Sequence, residues 1–146
     1  MEYYNEYLKK IVRPLLGNDT TYLSELQKVG RKLFGVKFKG VYPCDKIPRL
    51  NDLSPYCIAN LDNSRQPGSH WIGIAKIHGK DECLVYDSFG RSYKKIIPIL
   101  GLNGNGKIIN TDRDVEQKII ENNCGARSMA FLCVYDKKGY KIAKTI

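Results

Sequence analysis

Cys124 sits where the chain passes from polar to apolar: ENNCGARSMAFLCVY places Asn122 and Asn123 before it and an apolar run behind it. A helix that starts there directs partial positive charge at the sulfur and favours the thiolate, the reactive form of cysteine. Gly125 leaves the backbone beside it open to a reacting carbonyl. His70 follows a Gly-containing loop and opens the segment HWIGIAKI, a strand start of the kind that presents catalytic groups from a rigid scaffold. Asp87 ends the segment CLVYDS. If these two segments pair as an antiparallel hairpin, Asp87 lies alongside His70, where its carboxylate is expected to accept the Nδ1–H of the imidazole. Gln117 precedes the cysteine by one short segment, and its amide suits an oxyanion donor acting with the backbone N–H of Cys124.

Each of these residues also has a plainer reading: a core cysteine, a histidine at a strand edge, a turn-initiating Asp, a surface Gln. The second histidine, His78, falls beside Gly79 and Lys80 in the expected hairpin turn and reads as solvated. Cys133 lies inside the apolar run and is the better core cysteine. Cys57 and Cys83 at strand starts are also core candidates, and Cys44 in a loop is expected to be exposed. The five cysteines are odd in number and form no CxxC pair, so free thiols are expected and neither disulfides nor a zinc site.

The elements that must hold this chemistry follow from periodicity. Residues 3–15 place Tyr4, Tyr7, Leu8, Ile11, Val12 and Leu15 at helical spacing, with Gly17 as the stop. A second helix is expected over about 21–34, capped by Thr20 or Thr21. Pro43, Pro48 and Pro55 make 36–56 read as a loop-rich connection. CIANL (57–61) reads as a strand, DNSRQPGS (62–69) as a loop, and 70–77 with 83–88 as a β-hairpin. A short helix broken near Pro98 is expected within 92–102, then a turn and strand over 104–111, then a helix from Cys124 that is apolar nearly all round and therefore buried. The class is α+β: a small central mixed sheet flanked by helices, with a buried core helix starting at the nucleophile.

A chain of 146 residues suits one domain, 1–146, with one core. No apolar run is long enough to span a bilayer and the N-terminus is not a signal peptide, so neither a membrane nor a secreted location is expected. The net charge of +9 is spread over Lys9, Lys10, Arg13, Lys28, Arg31, Lys32, Lys37, Lys39, Lys137, Lys138, Lys141 and Lys144. It reads equally as a solvated surface or as a footprint for DNA.

The ordered set GSHWIGIAK, LVYDSFGRS, Gln117 and NNCGARSMAFL resembles the adenovirus-type maturation proteases, the adenains, over most of the chain, from near residue 6 to about 135. The small size and basic charge are similar to those of the proteases of virophages and polinton-type DNA elements, which process capsid proteins. The order His, Asp, Gln, Cys is the reverse of the papain order. The resemblance implies that His70 is the base, Asp87 the third triad member, Cys124 the nucleophile and Gln117 the oxyanion donor. It implies a cysteine endopeptidase that cuts capsid precursors at small-residue sites of Gly-Gly type in the virion and the infected cell's virus factory or nucleus; a monomer without cofactor is expected. A narrow cleft beside Trp71 would then admit only Gly near the scissile bond.

The chain departs from the adenovirus pattern in three ways. Its acid is Asp followed by Ser, as in the related proteases that deconjugate ubiquitin-like modifiers, which supply the alternative reading. Residues 101–116 hold no cysteine to anchor a disulfide-linked peptide cofactor. The later helices of the adenovirus enzymes are expected to have no counterpart. A third reading, from another class, is a basic nucleic-acid-binding, capsid-associated protein without activity.

Overall fold

A computed structural model describes residues 2–16, 23–61, 70–90, 104–112 and 123–146. The N-terminal apolar stripe forms a helix, α1 (Glu2–Tyr7), that continues through a π-helical turn (Leu8–Val12) into α2 (Arg13–Leu16). Pro14 accounts for the turn. A proline ring clashes with the carbonyl four residues earlier, and one inserted residue relieves the clash without ending the helix. The Arg13 N–H accordingly donates to the Leu8 carbonyl, five residues back. The second helix, α3 (Leu23–Phe34), buries Leu26, Val29, Gly30 and Phe34 on one side, close to the expected 21–34.

Five strands form one mixed sheet in the order β1 (Phe38–Pro43), β2 (Tyr56–Asn60), β3 (Trp71–Lys76), β4 (Glu82–Tyr86), β5 (Lys107–Asn110). β1 runs parallel to β2, β2–β3–β4 is antiparallel, and β5 runs parallel to β4. The α+β class with a small mixed sheet is therefore present. The hairpin forms with Gly73 opposite Tyr86 and Lys76 opposite Cys83.

β1 corrects the reading of 36–56 as loop. The three prolines hid a strand whose Phe38 and Val41 are buried. The ladder slips between Phe38 and Gly40, which breaks the alternation that marks a strand, and Pro43 is tolerated at its end because β1 is the edge strand among the described residues. The expected short helix at 92–102 lies outside the described residues.

Side chains alternate between two faces, as strand geometry requires. Tyr56, Ile58, Ala75, Leu84 and Tyr86 face the helices in one cluster with Tyr4, Leu26, Phe131 and Leu132. Cys57, Ala59, Ile72, Ile74, Cys83 and Val85 form a second cluster with Cys44, Ile47 and Leu50. The sheet thus divides the expected single core in two. Cys44 is 4% exposed, which overturns its assignment to the surface: the 44–50 segment covers the sheet face.

The last long helix, α4 (Cys124–Lys138), starts at Cys124 as expected and buries every residue from Cys124 to Val134 except Arg127. A second short helix, α5 (Tyr140–Lys144), follows Gly139. Gly73 lets α4 approach β3 closely. A Cβ there would lie 2.8 Å from Phe131 Cδ2 and 3.2 Å from the Ser128 carbonyl. Ser128 Oγ also donates to the Trp71 carbonyl at 3.2 Å. These two contacts clamp the first turns of α4 onto the start of β3.

Candidate active site

That clamp decides where Cys124 meets His70. The Trp71 backbone N–H donates to Cys124 Sγ at 3.3 Å, so the sulfur lies against the chain just after His70. Asp87 follows β4, one residue beyond Tyr86, the partner of Gly73. Its Oδ1 receives His70 Nε2 at 2.7 Å. His70, Asp87 and Cys124 are respectively 5%, 4% and 6% exposed, so the three groups meet in a site largely shielded from water.

The expected pairing of Asp87 with Nδ1 is therefore corrected: the carboxylate holds Nε2. The reason is geometric. Nδ1 is the ring nitrogen nearer its own backbone, and the sulfur is anchored on that backbone by Trp71 N–H. The acid reaches the ring from across the hairpin and meets the distal nitrogen. Nδ1 is buried and has no hydrogen-bond partner among the described residues. The Cys124 thiol is the second group that acts on the ring, and it favours the protonated form.

Burial, the largest influence on His70, pushes its pKa down. Hydrogen bonds and charge from Asp87 and Cys124 push it up and together prevail, leaving it above the ordinary 6.5. With Nε2–H donated to a carboxylate, the neutral ring presents an unprotonated Nδ1. It can take the thiol proton and later release it, and the Trp71 N–H stabilises charge on sulfur.

Cys57, Cys83 and Cys133 are instead shifted by burial. Burial pushes Cys133 up to about 12 and Cys83 up to about 11, and drives Cys57 up strongly as well. At neutral pH these three stay protonated and behave as packing residues. His78 is 89% exposed and approaches Asp52 at 3.8 Å, far from the site, as its turn position implied.

Gln117 and Asn122 lie outside the described residues. Asn123 occupies the N-cap position of α4, but its side chain caps no backbone N–H. Its Oδ1 instead accepts from Arg127 Nε at 3.0 Å. Arg127 also donates to Tyr4 Oη at 3.2 Å, and Tyr4 Oη pairs with Tyr86 Oη at 2.7 Å. Trp71 is 7% exposed and its side chain belongs to the helix-side core.

Two contributors escaped the sequence reading. The Trp71 donor is a backbone group and has no sequence signature. Phe89 stacks on His70, and the only hint was its place two residues after the acid. Among the described residues no group of His, Cys, Asp and Glu is placed to hold a metal ion. No described helix is long and apolar enough to cross a membrane.

No protein-family model matches the chain, and no curated protein matches its sequence.

Proposed function

We propose that the chain is a cysteine endopeptidase of the adenain type that matures viral capsid precursors at small-residue, Gly-Gly-type sites. One observation carries the reading: a buried imidazole bonded through Nε2 to Asp87, with the Cys124 sulfur held by the backbone N–H of the next residue, Trp71. In the proposed reaction His70 Nδ1 takes the thiol proton and Sγ attacks the scissile carbonyl. Gln117 and the Cys124 N–H hold the resulting oxyanion. The C–N bond breaks as His70 returns its proton to the leaving amine. Water, deprotonated by His70, then cleaves the thioester and releases the acid product. Asp87 orients the ring and stabilises the imidazolium throughout. The proposed setting is the virion and the virus factory or nucleus of the infected cell.

The second reading, a deconjugase for a ubiquitin-like modifier, is favoured by the Asp87–Ser88 pair, both buried. One experiment separates the readings. The chain is produced with the capsid precursor of its own genome, and new protein termini are mapped by mass spectrometry, with Cys124→Ala as control. New termini at Gly-Gly sites that vanish with Cys124→Ala support maturation. An intact precursor, with a ubiquitin-like modifier released instead, supports the deconjugase. No cleavage of either, with Cys124 unlabelled by a thiol-protease probe, returns the chain to the basic, non-enzymatic reading.

A further inference from the structure

We infer that Phe89 is a positioning residue of the site: its ring holds the imidazolium of His70 from the face while its backbone holds Asp87. The inference rests on the reading of His70, Asp87 and Cys124 as a triad. The rings of His70 and Phe89 stack with centroids 4.5 Å apart and planes inclined by 28°. Asp87 holds His70 in the plane of the ring through Nε2, and Phe89 restrains it from the ring face. The Phe89 N–H donates to Asp87 Oδ1 at 2.9 Å, the same oxygen that receives His70 Nε2. One residue therefore touches both the base and its orienting acid.

The local turn exists in a form that permits this. Gly90 N–H donates to the Asp87 carbonyl at 2.9 Å, and Gly90 has φ of 66°, a conformation that costs glycine little. The reversal brings the side chain of Phe89 back over the start of β3. Phe89 is half-buried and belongs to neither hydrophobic cluster of the described residues.

An aromatic face carries negative charge density and attracts a cation within about 6 Å of its centre. The attraction to imidazolium exceeds that to neutral imidazole, so Phe89 favours the proton on His70 and the charge-separated thiolate–imidazolium pair. Among the described residues, the titratable groups acting on His70 are Asp87, beyond β4, and Cys124, at the head of α4. Replacing Phe89 alters neither of them chemically.

The test reads iodoacetamide alkylation of Cys124 in the full chain against pH, located by mass spectrometry, with an NMR titration of His70. In the wild type, alkylation below neutral pH should exceed that of His70→Ala. Phe89→Leu should lower that acid-side alkylation about two- to fivefold and move the His70 titration down by roughly half a pH unit. Phe89→Tyr, which keeps the aromatic face, should retain both. Phe89→Met replaces Phe89→Leu should the latter fail to fold. A wild-type profile that coincides with His70→Ala overturns the triad reading and this inference with it. A wild-type acid limb left in place by Phe89→Leu, or lost equally in Phe89→Tyr, overturns this inference alone.

Discussion

If the chain is the protease proposed above, removing the Asp87 carboxylate should slow turnover without silencing it, and the structure sets the size of the effect. Asp87 Oδ1 accepts from His70 Nε2 at 2.7 Å and from Phe89 N–H at 2.9 Å, in a site where Asp87 is 4% exposed. A hydrogen bond to a charged group is worth roughly 1.5–3 kcal/mol. The imidazolium that benefits is fullest in the transition state, so most of that energy is lost from the barrier. At about 1.4 kcal/mol per tenfold, Asp87→Ala should lower kcat roughly 10- to 150-fold, with Cys124 and its nucleophilicity still in place.

The same substitution has a signature in pH. Burial pushes the His70 pKa down, and Asp87 is a main group holding it above 6.5. A raised folded-state pKa contributes stability that is fully present below the unfolded value and lost as pH rises through the folded value. Wild-type stability should therefore carry a declining component above pH 6.5, and Asp87→Ala should lack it. The assays are kcat and KM on a peptide spanning the mapped cleavage site, NMR titration of His70, and urea midpoints between pH 6 and 9. A variant with turnover within twofold of wild type and an unmoved His70 titration would refute the reasoning.

Four further outcomes are expected. Cys124→Ala should abolish processing and probe labelling while the fold persists, whereas Cys133→Ala should process normally; the reverse result would reassign the nucleophile. Gln117→Ala should lose on the order of 10²–10³ in kcat, with KM little changed and Cys124 still alkylated by iodoacetamide, and Gln117→Glu should be slower still; normal turnover in Gln117→Glu would remove that residue from the site. Gly73→Ala should destabilise the fold by about 1–3 kcal/mol, because the new methyl meets Phe131 and the Ser128 carbonyl where α4 crosses β3; an unchanged melting temperature would show that the clamp is loose. Duplex DNA should bind without sequence preference and weaken steeply with added salt, measured by anisotropy; salt-insensitive binding, or none at low salt, would leave the lysines as a solvated surface.

Much of the fold was readable because its pattern is local. The helical stripe at 3–15, the hairpin around HGKDE and the buried helix from Cys124 each appear close to the expected span. What escaped was set by contacts distant in sequence. β1 is a strand because it lies beside β2, although its own residues include Gly40 and Pro43. Cys44 is buried because the 44–50 segment closes one sheet face, and nothing in a loop sequence announces a covered face. The polar chain Asn123–Arg127–Tyr4–Tyr86 joins residues up to 123 positions apart and left no local trace.

The site divides along the same line. Hairpin pairing alone was enough to bring Asp87 to His70, since strand register is a short-range consequence of the turn. Which nitrogen the acid would hold was a different question. It depends on where the sulfur sits, and that follows from how α4 docks on β3. The docking in turn needs Gly73 beneath Phe131, Ser128 on the Trp71 carbonyl and the Trp71 N–H on Sγ. With the sulfur pinned to the His70–Trp71 backbone, Nδ1 is the nitrogen on that side of the ring, and the distal nitrogen is held by the carboxylate. A Gly73 substitution that tilts α4 should therefore impair the His70–Cys124 pairing before it disturbs the His70–Asp87 bond. Acid-side alkylation of Cys124 in Gly73→Ala should fall even at temperatures where the protein stays folded, while His70 keeps the part of its titration shift that Asp87 supplies. Equal loss of both would mean that α4 and the hairpin move as one unit, and that the clamp does not set the choice of nitrogen.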